Sequence, residues 1–273
     1  MPELPEVETI CRGLRSHLRG RRIMRVDVFE PRLRNMIDPR LPACVRGKTI
    51  VDVRRRAKYI LIQLEKKNVW VFHLGMSGKL IHVASATPKQ KHDHIVATLD
   101  NGQQLRYHDP RRFGLSIVVN EAELDELSQL RHLGLDPFNA QFHGEYLYSF
   151  TRRSKRRIRD LLLDQQVVAG IGNIYANEIL GRVGVRPTAR SSRLTRETVM
   201  RIASMIQTVL NEAIRWCGTS FSDYRDADDK FGEFQNHLRV YDRDGEACRI
   251  CPSTIKRVAL GNRSAFYCPS CQK

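Results

Sequence analysis

The sequence lacks any long apolar run, since none approaches the roughly 18 consecutive apolar residues that a membrane span needs. The amino terminus has neither the basic start nor the apolar stretch of a secretory signal. Internal repeats and low-complexity tracts are also missing. With 273 residues, 41% of them hydrophobic, the chain can form one large domain or two ordinary ones, either with a real core. These features predict a cytoplasmic globular protein.

Acidic residues are scarce relative to basic ones. Asp and Glu number 30 against 46 Lys and Arg, which gives a formal net charge of +16. This surplus predicts a polyanionic partner, and the alternative is a solvated basic surface. The basic residues cluster, and the densest run has six of them within residues 152–159. Because such a run repels itself unless phosphates lie opposite, the clustering favours a nucleic acid.

Apolar spacing predicts a helix followed by strands in the first half of the chain. Val7, Ile10, Leu14 and Leu18 recur at helical steps, which predicts a helix over 5–18. From about residue 22 to residue 120 the period changes to two. This pattern predicts short strands at 50–53, 59–64, 69–73, 95–99, 104–107 and 115–119. Helices are too sparse there for parallel βαβ units, so we expect an antiparallel β-sandwich or barrel.

The second half of the sequence is helical. Residues 136–139 are interpreted as a linker. Beyond it, helices are predicted at 157–163, 173–183 and 196–215. The glycine-containing turn 169–172 joins the first two of these helices, and Thr195 is suited to cap the third. Residues 217–237 are polar and irregular, which is typical of a functional loop.

Four of the seven cysteines form two pairs, Cys248-x2-Cys251 and Cys268-x2-Cys271. This spacing is typical of a zinc ribbon, with enough chain between the pairs for a β-hairpin. Disulfides are the alternative, and they fit poorly in a reducing compartment. Four thiolates leave no open coordination position, so the sequence predicts one structural Zn²⁺. The hairpin is basic and therefore suits a nucleic-acid groove.

The amino terminus reads Met1-Pro2-Glu3-Leu4-Pro5-Glu6. Because Pro2 is small, we expect Met1 to be removed, which leaves a secondary amine at the chain terminus. An α-amino group has a pKa near ~8, so a good fraction is neutral and nucleophilic at cellular pH. Such an amine can form an iminium with a sugar carbon, and Glu3 and Glu6 could transfer protons beside it. The alternative is an ordinary helix start, with proline and acidic residues in the first turn.

Six motifs occur in a fixed order, and each is modest by itself. They are Pro-Glu-Leu-Pro-Glu-Val-Glu at 2–8, His-Leu-Gly-Met-Ser-Gly at 73–78, Lys-His-Asp-His at 91–94, Asp-Pro-Arg-Arg-Phe-Gly at 109–114, Gly-Ile-Gly-Asn-Ile-Tyr-Ala at 170–176 and the four cysteines. Together they resemble the bacterial formamidopyrimidine-DNA glycosylases, a branch of the formamidopyrimidine-DNA glycosylase / endonuclease VIII family. The resemblance extends over essentially the whole chain.

With the patterning above, the resemblance implies an α+β fold. An N-terminal β-sandwich with a leading helix is expected over 1–135, followed by a linker at 136–146. A helical, helix–two-turn–helix DNA-binding domain is expected over 147–240. A four-cysteine zinc finger with a zinc-ribbon β-hairpin is expected over 241–273. We expect DNA to lie in a basic cleft between the domains.

The resemblance further implies base-excision repair. The enzyme would remove oxidised purines (8-oxoguanine and formamidopyrimidines) from duplex DNA, and would cleave abasic sites by β,δ-elimination through a Schiff base on Pro2. Glu3 would donate a proton to the sugar ring oxygen. Lys58, expected on a β-strand, would contact the lesion and its phosphate and donate a proton in β-elimination. Arg263 would donate a proton in δ-elimination and contact a phosphate.

DNA contacts are also implied by the resemblance. Met76, Arg111 and Phe113 would fill the gap left by a flipped nucleotide, whereas core positions for Met76 and Phe113 are the alternative. The alternative for His73 is a buried imidazole in the core whose hydrogen bonds are made within the protein. Phosphate contacts are implied for His73, Arg112, Asn173 and Arg263. Residues 219–235 correspond to a loop that closes over the flipped base, and the acidic stretch 226–229 leaves the base contacts open.

The expected cofactor is therefore one structural Zn²⁺, with no catalytic metal or redox cofactor, since the amine does the covalent work. The expected partner is duplex DNA that contains oxidised bases or abasic sites, with no membrane partner. We expect a monomer in the bacterial cytoplasm, associated with the nucleoid. Two alternatives stay open: an endonuclease VIII-like enzyme for oxidised pyrimidines, and a non-catalytic zinc protein that binds damaged or bent DNA.

Overall fold

The computed structural model describes residues 1–221 and 224–273. The chain divides into two compact units, one formed by Met1–Arg131 with Ile214–Gln235, the other by His132–Ala213 with Asn236–Lys273. Residues 214–235 thus group with the first unit, whereas the sequence predicted one continuous helical domain over 147–240. No helix in the described part of the chain is both long and apolar enough to cross a bilayer.

The first unit begins with a helix and continues as two antiparallel sheets. Helix α1 spans Leu4–Leu18, close to the predicted 5–18, and a short helix α2 spans Leu41–Val45. The strands are β1 (Ile23–Val28), β2 (Ile50–Arg56), β3 (Tyr59–Leu64), β4 (Asn68–His73), β5 (Lys79–Ala84), β6 (Asp93–Leu99), β7 (Gln103–His108) and β8 (Leu115–Asn120). A 3-10 helix over Glu121–Glu126 follows β8.

The two sheets and α1 share one apolar core. The strand orders are β1-β6-β7-β5 and β2-β3-β4-β8, and all neighbours pair antiparallel. The rings of Phe72 on β4 and Tyr107 on β7 lie 5.6 Å apart, which brings side chains of the two sheets into contact. Val7, Ile10 and Leu14 of α1 are fully buried in this core. The predicted β-sandwich with a leading helix is therefore confirmed.

The second unit is mainly helical. Its elements are α3 (Gly144–Thr151), α4 (Ile158–Leu162), α5 (Asn173–Val183), α6 (Arg196–Arg215, whose last two residues group with the first unit), β9 (Lys256–Leu260) and β10 (Arg263–Tyr267). The Thr198 amide donates to Oγ1 of Thr195 at 3.2 Å, so Thr195 caps α6 as predicted. Helix α5 ends at Gly184, whose left-handed backbone (φ +80°) is the common way to end a helix.

Two buried side chains of α5 bind the C-terminal part of the chain, Asn177 at the β9–β10 hairpin and Glu178 at residues 239–241, which precede it. Asn177 accepts a hydrogen bond from the Phe266 amide of β10 at 2.9 Å. The carboxylate of Glu178 accepts from three successive amides, at residues 239–241, at 2.8–2.9 Å. A buried carboxylate needs such donors to offset its desolvation. The helix–two-turn–helix region and the hairpin thus form one unit, whereas the sequence predicted a separate zinc finger over 241–273.

Candidate functional site

Helix α1 lies antiparallel to β2, and three contacts fix its register. Nη2 of Arg15 donates to the Val53 carbonyl at 2.6 Å, and the Cys11 thiol donates to the Arg54 carbonyl at 3.4 Å. Glu8 then pairs with Arg55 at 3.0 Å. Residues nearer the start of α1 therefore contact residues nearer the end of β2. The N-terminal end of α1 therefore lies toward the end of β2, where residues 57 and 58 form a turn.

The residues before α1 are held from within the first unit. Pro2 is buried, whereas Met1 before it is 44% exposed. Glu3 is the N-cap residue of α1 and is buried. Its amide donates to the carboxylate of Glu6 at 2.8 Å, and the same carboxylate accepts from the Thr219 amide at 2.8 Å. While Met1 is attached, the Pro2 nitrogen is an amide and no nucleophile, so only removal of Met1 creates the amine.

Lys58 was predicted on a strand, and this placement is wrong. It lies in the two-residue turn between β2 and β3, directly after Ala57, whose φ is +52°. The Lys58 side chain is only 7% exposed. The turn lies at the end of β2 toward which the start of α1 points.

His73 ends β4 and is cross-strand paired with Tyr59, the residue after Lys58. Burial, together with the positive charges of Lys58 and Arg34, lowers the pKa of His73 to about 4. Its Nδ1 accepts a hydrogen bond from the Gly75 amide at 3.0 Å. A neutral imidazole with an acceptor at Nδ1 carries its proton at Nε2, so this nitrogen is a hydrogen-bond donor. His73 is half-buried, which differs from a fully buried core imidazole.

The three residues implied to fill a gap in DNA lie on two loops of the first unit. Met76, in the loop between β4 and β5, is 42% exposed, and Phe113, before β8, is 47% exposed. The alternative of core positions for these two residues is therefore wrong. The Arg111 guanidinium lies 4.7 Å from the centre of the Phe113 ring. Gly75 permits close contact of the loops, since a Cβ there would lie 2.5 Å from the Phe113 carbonyl carbon.

The basic clusters are partly used within the protein. Arg112, with a left-handed backbone (φ +56°), pairs with Glu30 at 3.2 Å. In the run 152–159, Arg156 pairs with Asp164 at 2.7 Å, and Arg159 is buried. Acidic residues that lie nearby in sequence, Asp160 and Asp164, therefore offset part of the positive charge of this run within the protein.

In the second unit, Asn173 begins α5, and both the oxygen and the nitrogen of its side-chain amide are hydrogen-bonded. Its Oδ1 accepts from Nη2 of the buried Arg159 at 2.7 Å, and its Nδ2 donates to the Ser264 carbonyl at 3.1 Å. Arg159 also donates to the Ser264 carbonyl at 3.2 Å. Ser264 follows Arg263, the exposed first residue of β10. The start of α5 and the hairpin are thus joined next to Asn173 and Arg263.

The four paired cysteines form a cluster whose sulfur atoms lie within 4.8 Å of one another. All seven cysteines are free thiols, so the disulfide alternative is not supported. Tetrahedral zinc with Zn–S bonds of 2.3 Å would place its sulfur ligands about 3.8 Å apart, which these separations match. The residues present fit a structural zinc ion, held by Cys248, Cys251, Cys268 and Cys271. The ion would stabilise the hairpin that presents Arg263.

Three buried charged side chains of these regions were not predicted from the sequence. Asp109, Arg159 and Glu178 are buried charged residues with several hydrogen bonds each. Each lies inside or beside a sequence motif in which other residues were predicted to be functional. An acidic or basic residue within such a motif gives no sign of burial, because burial depends on tertiary packing.

Family models place the chain among DNA glycosylases that carry an H2TH domain and a zinc finger. The formamidopyrimidine-DNA glycosylase N-terminal domain matches residues 1–116, and the H2TH domain of the same enzymes matches 133–225. The zinc finger found in FPG and IleRS matches 245–273. The chain is 45% identical to the formamidopyrimidine-DNA glycosylase of Hahella chejuensis and 44% identical to that of Thioalkalivibrio sulfidiphilus, over the full length of both chains in each case. It belongs to the formamidopyrimidine-DNA glycosylase family.

Solved structures agree with this assignment. The fold is similar to that of a mutant Lactococcus lactis FPG bound to Fapy-dG-containing DNA, with a TM-score of 0.93, 31% identity and full coverage of both chains. It is equally similar to Lactococcus lactis Fpg in complex with DNA that contains an abasic site, with a TM-score of 0.93, 30% identity and 99% coverage of each chain. The predicted family and fold class are confirmed.

Proposed function

We propose that this protein excises oxidised purines from duplex DNA and then cleaves the resulting abasic site through a Schiff base on Pro2. One observation carries the proposal: Pro2 and Glu3 lie at the end of α1 that, by its register on β2, points toward Lys58. His73 lies across the strand pair from the residue after Lys58. An amine, a carboxylic acid and an ammonium group at one end of the sandwich suit covalent chemistry on a sugar carbon.

The first step uses the Pro2 nitrogen after Met1 is removed. Its lone pair bonds to C1′ of the lesion nucleotide, the bond from C1′ to the base breaks, and the base leaves with that electron pair and takes up the proton that the Pro2 nitrogen loses. Glu3 donates a proton to the sugar ring oxygen as the ring opens, which gives an iminium between Pro2 and C1′. Chemistry at this bond needs the nucleotide outside the helical stack, which costs a few kcal/mol.

Strand cleavage follows by two eliminations. Loss of a C2′ proton lets the iminium accept electrons, and the bond from C3′ to its phosphate oxygen breaks while Lys58 supplies a proton. Loss of the second phosphate from C5′ follows in the same way, with Arg263 as the proton donor. Lys58 and Arg263 also neutralise the phosphates beside the lesion.

The remaining residues position the DNA. Met76, Arg111 and Phe113, all from exposed loops of the first unit, fill the gap left by the extruded nucleotide, and Arg111 reaches the orphaned base. His73, Arg112 and Asn173 contact phosphates, which positions the duplex without reading its sequence. The protein acts as a monomer in the bacterial cytoplasm, in association with the nucleoid.

Borohydride trapping tests the proposed chemistry. Reduction of the iminium converts it to a stable amine, so the protein should become covalently attached to a duplex that contains 8-oxoguanine. Intact-mass measurement of the sample first establishes that Met1 is absent. The Pro2→Gly variant should trap far less adduct and bind the same duplex with nearly unchanged affinity. An added residue before Pro2 serves as a matched control, because it converts the Pro2 nitrogen to a non-nucleophilic amide and keeps every side chain of the enzyme.

The same assay separates the two alternatives. An endonuclease VIII-like enzyme would excise thymine glycol faster than 8-oxoguanine from otherwise identical duplexes. A non-catalytic binder would yield no adduct from a folded sample with a free Pro2 terminus. Either result would overturn the proposed activity.

A further inference from the structure

Asp109 lies directly after β7 and is completely buried, with 0% exposure. Its carboxylate accepts three hydrogen bonds: from the Ser77 hydroxyl at 2.8 Å, the Tyr107 hydroxyl at 3.1 Å and the Gly114 amide at 2.9 Å. Three donors from three places in the sequence therefore converge on one side chain. A group that only accepts, such as an ionised carboxylate, matches this set of donors.

Two of these donors, Ser77 and Gly114, belong to the two loops that carry the gap-filling residues, whereas Tyr107 lies on β7. Ser77 follows Met76 in the loop between β4 and β5, and Gly114 follows Phe113. The Ser77 hydroxyl oxygen also accepts from the Arg111 amide at 3.3 Å, which is a second link between the loops. Asp109 thus accepts hydrogen bonds from Ser77, the residue next to Met76, and from Gly114, the residue next to Phe113.

Close packing leaves the two loops little room to shift. A Cβ at Gly114 would lie 1.8 Å from the Tyr107 hydroxyl and 2.4 Å from the His73 carbonyl oxygen. The Asp109 backbone carbonyl is within 2.8 Å of Nε2 of the buried His94, which fixes the other side of the residue. Burial, with the nearby Asp109, raises the pKa of Tyr107 well above its usual value, so the hydroxyl stays a donor at neutral pH.

We propose that Asp109 is a positioning residue that holds Met76, Arg111 and Phe113 in the arrangement needed to occupy the gap in duplex DNA. The inference rests on the proposed function, because the gap exists only if a nucleotide is extruded. Asp109 touches neither the sugar nor the base; it acts through the two loops. A shift of about 1 Å in such groups can cost as much as a hundredfold in rate.

The choice of substrate separates positioning from general structural damage. A single-stranded oligonucleotide with an abasic site has no opposite base and no gap, yet its C1′ aldehyde still reacts with the Pro2 amine. In Asp109→Asn, the side-chain NH₂ faces at least one of the three donors, so the loops lose their common acceptor. We expect excision of 8-oxoguanine from a duplex to fall roughly tenfold or more in single-turnover kinetics. Cleavage and borohydride trapping of the single-stranded abasic substrate should stay within about threefold of wild type.

Two further variants keep the test informative if Asp109→Asn folds poorly. Ser77→Ala removes one donor and the link to Arg111. It should also slow excision from the duplex more than cleavage of the single-stranded substrate, by a smaller factor than Asp109→Asn. Asp100→Asn is the matched control, since Asp100 is an exposed aspartate in the β6–β7 turn, outside the site. It should behave as wild type on both substrates.

A double-mutant cycle with Met76→Ala tests whether Asp109 acts through that loop. If it does, the two substitutions together should cost less than the product of their separate effects on duplex excision. A duplex with 2-aminopurine opposite the lesion reports insertion into the gap, and its fluorescence change should be smaller in Asp109→Asn.

The outcomes are distinct. Equal losses on duplex and single-stranded substrates in both Asp109→Asn and Ser77→Ala would overturn the positioning role, as would wild-type activity of both variants on the duplex. A wild-type protein that cleaves an abasic site neither in a duplex nor in the single strand would instead contradict the proposed function itself.

Discussion

Glu6 and Thr219 lie 213 positions apart and are joined by a 2.8 Å hydrogen bond, which the Thr219 amide donates to Oε1 of the Glu6 carboxylate. The other oxygen, Oε2, accepts from the Glu3 amide at 2.8 Å. Gly218 is in the left-handed region (φ +81°), and a Cβ there would lie 2.8 Å from Oε1. One buried carboxylate therefore holds both the residue proposed as proton donor and the start of the segment 219–235.

Glu6→Gln should slow lesion excision more than it weakens DNA binding. The glutamine NH₂ would face one of the two amide donors, and an unsatisfied buried donor costs about 1–3 kcal/mol. Each 1.4 kcal/mol corresponds to about a tenfold change in rate, so we expect 8-oxoguanine excision to fall about tenfold or more. Single-turnover kinetics measure the rate, and fluorescence anisotropy should give an affinity within about threefold of wild type.

Glu8→Gln is the matched control for this prediction. Glu8 lies two residues further along α1 and pairs with Arg12 and Arg55, which lower its pKa against the opposing effect of burial. Its loss should change stability and leave excision nearly intact. The coupling assigned to Glu6 would be wrong if both variants excise at the same rate.

The sequence was informative where structure depends on local pattern. Helix α1, the Thr195 cap and the cysteine cluster follow from spacing within a few residues. The turn at Ala57 and Lys58 could not be predicted in this way, because it contains neither Gly nor Asn, the usual signals of a tight hairpin with positive φ. Strand β1 was missed as a separate element, since a bulge between Ile23 and Arg25 interrupts its alternation.

Long-range pairing explains the other differences. Residues 214–235 were expected within the helical domain because they follow α6 in sequence. Instead, hydrogen bonds from the Thr219 amide to the Glu6 carboxylate and from the Tyr224 hydroxyl to the Glu6 carbonyl hold them in the first unit. Residues 222 and 223, which fall in the predicted loop 219–235, lie outside the described residues. Such contacts between distant residues leave no periodic signal in one sequence.

Removal of the metal should weaken DNA binding without unfolding the first unit. Chelation, or Cys251→Ser, should release one zinc ion per chain, measured by atomic emission. We expect the Kd for a duplex with an abasic-site analogue to rise about tenfold, since the hairpin with Arg263 loses its fixed shape. Cys44→Ser is the control, because Cys44 lies outside the cluster and should retain the metal. A zinc-free protein with wild-type affinity would contradict a role of the hairpin in binding.

Stability should fall between pH 6.5 and pH 4, in part because of His73. Its pKa is about 4 in the folded protein, against a usual 6.5. In this window the unfolded chain binds a proton that the folded protein does not, so acid favours unfolding; above pH 6.5 the full stability is present. The contribution is at most about 3 kcal/mol. In urea titrations, His73→Gln should show a shallower pH dependence than wild type. His132→Gln, an exposed control, should match the wild-type slope, and equal slopes for all three proteins would refute the assignment.

Arg159→Lys should weaken phosphate binding although the charge is kept. The guanidinium bonds Asn173, the Ser264 carbonyl and Asp160 at 2.7, 3.2 and 3.3 Å, a fork that a lysine ammonium cannot reproduce. The hydrogen bond from Asn173 to the Ser264 carbonyl remains, but the Arg159 link between the start of α5 and β10 is lost, so we expect the Kd for an abasic-site duplex to rise about tenfold. The cleavage rate at saturating DNA should change less, because Pro2 and Glu3 lie elsewhere in the chain. Arg157→Lys, at an exposed arginine two residues away, supplies the control. If the two variants bind DNA equally well, the buried fork at Arg159 has no part in orienting Asn173 toward a phosphate.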